Sequence, residues 1–165
     1  MQDTKLDLRF KVMIHVGRPV GEVFEAVANP KELSSYFTTG GASGRLEAGQ
    51  TVTWDFHDFP GAFPVEVDEV VPNEKIVLRW DAAEGEQLCE GALDVKPAGY
   101  KTTVTMTFKP TDDGRTLVEI EEKGWRDSEA GLQASYGNCM GWSQMLAALK
   151  MWVEHGINLR EGAYR

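Results

Sequence analysis

Residues 132–157 read LQASYGNCMGWSQMLAALKMWVEHGI. Apolar or small side chains fall at Leu132, Tyr136, Cys139, Trp142, Leu146, Leu149, Val153 and Ile157, in steps of three and four, the spacing of one face of an α-helix. Met145 and Trp152 widen that face. Gly131, Gly137 and Gly141 each weaken a helix by about 1 kcal/mol relative to Ala, so regular helix is expected to firm up after Gly137. From there to Gly156 is about 20 residues, about 30 Å of helix. An apolar stripe of that length needs a broad partner, and the segments upstream offer one.

Upstream the period changes from helical to two. Val52, Trp54 and Phe56 alternate with Thr51, Thr53 and Asp55, and Phe63, Val65 and Val67 with Pro64, Glu66 and Asp68. Pro72-Asn73-Glu74 turns the chain into Ile76-Val77-Leu78-Arg79-Trp80. Val104, Met106 and Phe108 alternate with threonines, and Asp112-Asp113-Gly114 turns that strand into Thr116–Glu122. Between Asp81 and Tyr100 the apolar residues Leu88, Leu93 and Val95 are loosely spaced, leaving an extended hairpin and a surface loop as alternatives. Near the start, Leu6–Val16 keeps apolar residues at every even position and reads as a strand. Gly17-Arg18-Pro19 ends it, and Val20, Val23, Phe24 and Val27 then recur at helical spacing. Asn29-Pro30-Lys31-Glu32 opens a second short helix, with Asn29 as cap and Glu32 placed to reach back. The order is strand, two short helices, about six strands and one long helix. A mostly antiparallel sheet cannot leave its apolar face wet, and the last helix is the element available to cover it. The fold class is α+β.

Composition narrows the function. The 165 residues are 42% hydrophobic and 26% charged, the mixture of one globular domain, residues 1–165, with no linker or repeat dividing it. Lys and Arg total 17 against 26 Asp and Glu, a formal net charge of −9, so a basic face for phosphates is lacking and nucleic acid is excluded as a partner. Acids concentrate from Glu66 to Glu90, a solvated surface or a docking face for a basic protein. No stretch has the 18 or more apolar residues of a membrane span. The start lacks the marks of a signal peptide, and Cys89 and Cys139 have no paired spacing. A reduced, cytoplasmic protein is the expectation.

Several motifs carry a resemblance. Ile14-His15-Val16 followed by Arg18-Pro19-Val20-x-x-Val23-Phe24-Glu25-Ala26 resembles the opening of the START-like (SRPBCC) superfamily. Val70-Val71-Pro72-x-Glu74-Lys75-Ile76 and Thr103-Val104-Thr105…Gly124-Trp125 resemble its middle. Gly141-Trp142-x-x-Met145-Leu146-x-x-Leu149-Lys150 is similar to the final helix of the branch related to activators of the Hsp90 ATPase. The resemblance implies a helix grip, in which a curved antiparallel sheet wraps the last helix around a cavity that commonly holds hydrophobic ligands. Some relatives are enzymes, and Hsp90 activators bind a protein partner. The segment Glu84–Lys101 is longer than the short hairpin of that pattern.

The chemistry-bearing residues are few. His15, His57 and His155 belong to separate elements and form no metal-ligand cluster with the cysteines, so neither a metal nor another cofactor is expected. Cys139 lies on the apolar stripe, where a free Cys packs as a small hydrophobe. The loop Thr38–Gly44 is Gly-rich without the ending of a phosphate-binding loop and reads as a flexible connection. Carrying each strand's apolar phase to its end reaches Asp58, Glu69 and Glu122, and an inward carboxylate must be paired, neutralised or wet. Trp54, Phe56, Phe63, Trp80, Met106 and Phe108 line the inward sheet face. Tyr136, Asn138, Cys139, Trp142 and Leu146 come from the helix, with Glu122, Asn138 or Tyr136 fixing a ligand's polar end. These residues frame a site for a small hydrophobic or aromatic molecule. A cofactor-free cyclase, hydrolase or isomerase using Glu122 and Asp58 as acid and base is the alternative. A protein-binding module or a homodimer is a third expectation.

Overall fold

The computed structural model describes residues 4–59, 61–87 and 93–163. Strand β1 (Arg9–Val16) is followed by helices α1 (Val20–Ala28) and α2 (Pro30–Tyr36). Six strands come next: β2 (Gly41–Ser43), β3 (Thr51–Asp55), β4 (Phe63–Val71), β5 (Lys75–Gln87), β6 (Leu93–Pro110) and β7 (Thr116–Lys123). The long helix α3 (Glu129–His155) closes the order. The sheet runs β1-β7-β6-β5-β4-β3-β2 with antiparallel neighbours throughout. The two short helices carry the chain from one sheet edge to the other, and β2 to β7 then meander back until β7 pairs with β1. Helix α3 crosses the inward face, touching β1, β5 and both short helices. This is the α+β helix-grip arrangement.

Inward positions follow the sequence alternation closely. Val52 and Trp54 on β3, Val65 and Val67 on β4, and Ile76 and Leu78 on β5 are buried. So are Val104, Met106 and Phe108 on β6 and Val118, Ile120 and Glu122 on β7. Glu69 departs from the expectation. The register shifts between Val67 and Glu69, and a bulge that inserts one residue reverses the side-chain phase. Glu69 therefore faces solvent, where it pairs with Lys75 at 2.9 Å. The unclear segment is an extension of the hairpin: β5 and β6 stay paired from Asp81 with Lys101 out to Gln87 with Leu93. Leu88 and Cys89 lie outside the described residues.

Local signals place the helices. Asn29 caps α2 by accepting the Lys31 N–H at 3.0 Å, with Pro30 in the first turn. Glu32 does not reach back to the cap and instead accepts the Trp152 indole N–H at 2.8 Å. Helix α3 begins at Glu129, eight positions before Gly137, because Ser128 accepts the Gly131 N–H at 3.0 Å. Gly131 is required there by space, since a Cβ would sit 2.1 Å from the Arg126 carbonyl oxygen. Gly156, at φ 69°, ends the helix in the left-handed conformation. The buried face of α3 passes through Ser135, Trp142, Met145, Leu146 and Leu149, while Tyr136 and Ile157 are 60% and 49% exposed. At 3.6 residues per turn the stripe spreads over an arc of about 140°, with Tyr136 at the edge farthest from Leu149, and Ile157 lies beyond the end of α3. The Gly-rich connection is partly ordered as β2, whose Ala42 pairs with Trp54.

Candidate functional site

The inward phase of β7 ends on Glu122, which is fully buried. Its carboxylate accepts from four side chains on three elements. Trp80 on β5 and Thr102 on β6 donate to Oε2 at 2.9 and 2.7 Å. From α3, Trp142 donates to Oε1 at 2.8 Å, and Asn138 Nδ2 spans both oxygens at 3.1 and 3.0 Å. Asn138 and Trp142 reach one carboxylate because residues four apart share a helix face. None of these donors carries a charge. Burial raises the Glu122 pKa above its ordinary 4.5, and the four donors pull against that shift.

Around this carboxylate the aromatic side chains form one cluster. Trp142 lies between two rings, stacked on Trp80 at 5.3 Å and 28° and on Phe37 at 5.6 Å and 29°. Trp54 presents its edge to Phe37 at 5.7 Å and to Trp80 at 5.8 Å. Phe56 and Phe63 stack on each other at 5.8 Å, Phe56 meets Phe37 at 4.9 Å, and Phe63 meets Trp80 at 5.8 Å. The rings pack directly on one another. Two buried polar atoms, the Trp54 indole nitrogen and the Thr38 hydroxyl, have no hydrogen-bond partner among the described residues.

A seal lies over part of the cluster. The Arg160 guanidinium, in the segment after α3, sits 5.5 Å from the Phe37 ring centre and 5.3 Å from that of Phe56. Its Nη2 donates to both carboxylate oxygens of Asp58, at 2.9 and 3.1 Å. Asp58 is therefore salt-bridged in the turn after β3, with partners different from those of Glu122. Sequence reasoning picks out neither Phe37 nor Arg160 for the site: Phe37 follows Leu33 and Tyr36 at helical spacing and reads as one more apolar position of the short helix, and Arg160 lies past the end of α3, where no period marks it.

The other expected residues sit elsewhere. Met106 and Leu146 are buried in the general core, and Phe108 packs edge-on against Phe24 at 5.3 Å. Tyr136 and the free, half-buried Cys139 face away from the cluster. They line a groove of about 230 Å³ with Asp7, Phe10 and Leu132, between the start of β1 and α3. A second cleft of about 400 Å³ lies among Glu22, Glu25, Glu32 and Trp152. On the outer face, Arg79 pairs with Glu66 and Asp68, and Lys101 with Glu66 and Asp81, so much of the acidic stretch is compensated locally. Among the described residues no three His, Cys, Asp or Glu side chains converge as metal ligands. No described helix is long and apolar enough to cross a membrane.

A curved antiparallel sheet gripping a C-terminal helix is the architecture of the START-like (SRPBCC) superfamily. Residues 18–154 match the family described as Activator of Hsp90 ATPase homolog 1-like protein, and the chain belongs to that family. Solved structures agree on the fold. A Staphylococcus saprophyticus protein, SSP2350, superposes with a TM-score of 0.71 at 24% identity, covering 93% of this chain and 96% of that one. DynU16, from the dynemicin biosynthetic locus, gives 0.71 at 23% identity over 91% of this chain and 48% of its own. The Aha1 dimer from Colwellia psychrerythraea gives 0.64 at 14% identity over 90% and 98%. Among curated proteins no match is found.

Proposed function

We propose that the protein binds a small, planar aromatic or apolar molecule between the inward face of the sheet and α3, at the cluster of Trp54, Trp80, Trp142 and Phe37. The observation that carries this reading is the Glu122 network. A buried carboxylate without a cationic partner costs stability, and a purely structural core avoids one. Here that carboxylate fixes two stacked indoles, 28° apart, by their N–H groups, a preorganised aromatic wall for a ligand that displaces the ring packed on its other side. Shape and apolar area supply the affinity. Because the rings pack on one another, entry requires Arg160 to leave Phe37 and Phe56 and Phe37 to part from Trp142; Asp58 holds the arginine in place until then. Glu122 already accepts from four donor groups, one shared between its oxygens, which fill its lone-pair positions. That favours holding a ligand over exchanging protons with it, and so binding over catalysis. The test is mass spectrometry of organic extracts from protein purified out of its native host. One stoichiometric small molecule is expected in the wild type and is lost when Trp142 and Trp54 are both replaced by Phe. An extract without an enriched molecule counts against the reading.

A second reading, self-association, draws on exposed apolar side chains. Leu6, Tyr136 and Met140 are 62%, 60% and 55% exposed, and Tyr136 borders the groove beside β1. The Aha1 structure at 14% identity is that of a dimer. Light scattering of the wild type and of Tyr136→Glu distinguishes a dimer broken by the substitution from a monomer in both.

A further inference from the structure

The chemistry of the ligand can be taken one step further, and this step rests on the binding reading above. Of the three indoles in the cluster, Trp80 and Trp142 both donate to Glu122. Trp54 differs. It is 1% exposed, its edge lies against Phe37 and Trp80, and its N–H meets no acceptor among the described residues. An indole N–H is a donor only, so no rotation of its own can satisfy it. Thr38, one residue beyond Phe37, is fully buried with its hydroxyl unpartnered as well. Its backbone is already engaged: the N–H donates to the Leu33 carbonyl at 3.1 Å, and its carbonyl accepts from the Gly41 N–H at 2.9 Å. Buried polar groups are normally hydrogen-bonded, and unsatisfied ones call for an explanation. Trp54 packs on Phe37 and Thr38 follows Phe37 in the chain, and two such groups in one region point to an oxygen that arrives with the ligand.

We infer that the ligand is a planar aromatic carbonyl compound, bound with its ring faces against the cluster and its oxygen accepting the Trp54 N–H. The oxygen is a neutral carbonyl. A carboxylate would bring a second buried anion into a cluster that already holds Glu122, which no cation compensates among its donors. The Thr38 hydroxyl serves the second lone pair of the same oxygen, or accepts from a hydroxyl next to it.

The experiment uses 9-fluorenone and fluorene, which share a shape and differ in the carbonyl, with 9-fluorenecarboxylate as the anionic control. Dissociation constants are measured for the wild type, Trp54→Phe and Thr38→Val. Comparing the fluorene-to-fluorenone Kd ratio between proteins cancels solubility and lost packing. The ratio is expected to fall about fivefold to tenfold in Trp54→Phe, the size of one hydrogen bond, and to fall also in Thr38→Val. On the unaltered protein, the Trp54 indole proton is expected to move downfield with fluorenone and not with fluorene. An unchanged ratio in Trp54→Phe, or tightest binding by the carboxylate, overturns the inference and leaves aromatic binding standing. If neither neutral probe binds the wild type, the binding reading fails and the inference fails with it.

Discussion

Replacing Glu122 by Gln keeps the size of the side chain and changes what it accepts. The carboxylate takes hydrogen bonds from Trp80, Thr102, Asn138 and Trp142. An amide offers one acceptor oxygen and turns its NH₂ on the donors of the other position. If the NH₂ takes the place of Oε2, Thr102 can rotate to accept but Trp80 cannot. If it takes the place of Oε1, Asn138 can flip but Trp142 cannot. Either way at least one buried indole N–H loses its acceptor, at about 1–3 kcal/mol. The remaining bonds also lose charge assistance, and relief of carboxylate desolvation offsets part of the loss. A net loss of about 2 kcal/mol at pH 7 is expected, a fall in Tm of about 4–8 °C for a domain of this length. The pH dependence gives a second check. Burial raises the folded pKa of Glu122 above 4.5, so its contribution is full below that value and declines as pH rises through the folded pKa. The deficit of the Gln variant is therefore larger near pH 4.5 than at pH 8. Urea titrations followed by tryptophan fluorescence measure both. Equal stability at pH 7, or a deficit that grows with pH, would refute the account of the network.

Three further outcomes are expected. Arg160→Ala removes the partner of Asp58 and uncovers Phe37 and Phe56; it costs about 1–3 kcal/mol and raises acrylamide quenching of tryptophan fluorescence. Unchanged quenching would mean that this residue is no seal. Gly137→Ala and Gly141→Ala each stabilise α3 by about 0.5–1 kcal/mol, since a Cβ at either position meets nothing within 4 Å, whereas Gly131→Ala is strongly destabilising; thermal melts of the three rank them. Ser128→Ala removes the α3 cap and lowers stability by about 1 kcal/mol, measured by the same melts.

The parts of the fold legible in the sequence were those where burial on one face imposes a period. Glu122 is the clearest case: the alternation Val118, Ile120, Glu122 alone placed a carboxylate inside. The same logic misplaced Glu69, because a bulge after Val67 is written in no side-chain pattern. It also pointed to Asp58, which lies beyond the end of β3 and is tied down by Arg160, a partner 102 positions away. Tyr136 and Cys139 share the apolar stripe in the sequence, but that stripe spans about 140° of the helix and they lie toward its edge away from Trp142 and Leu149. Asn138, expected to hold a ligand's polar end, instead donates to both oxygens of Glu122. Phe37 reads with Leu33 and Tyr36 as an apolar position of the short second helix, and nothing in that spacing aims its ring at Trp142.

The central claim is that Trp54, Trp80 and Trp142 line one binding place for an aromatic molecule. The five tryptophans supply their own controls, since Trp125 packs on Phe10 and Trp152 bonds Glu32, away from the cluster. The most direct measurement is ¹⁹F NMR of protein labelled with 5-fluorotryptophan, titrated with 9-fluorenone. The account predicts that the signals of Trp54, Trp80 and Trp142 move together and saturate at one equivalent while those of Trp125 and Trp152 stay still. Shifts confined to Trp125 or Trp152, or no saturable shift at all, would contradict it.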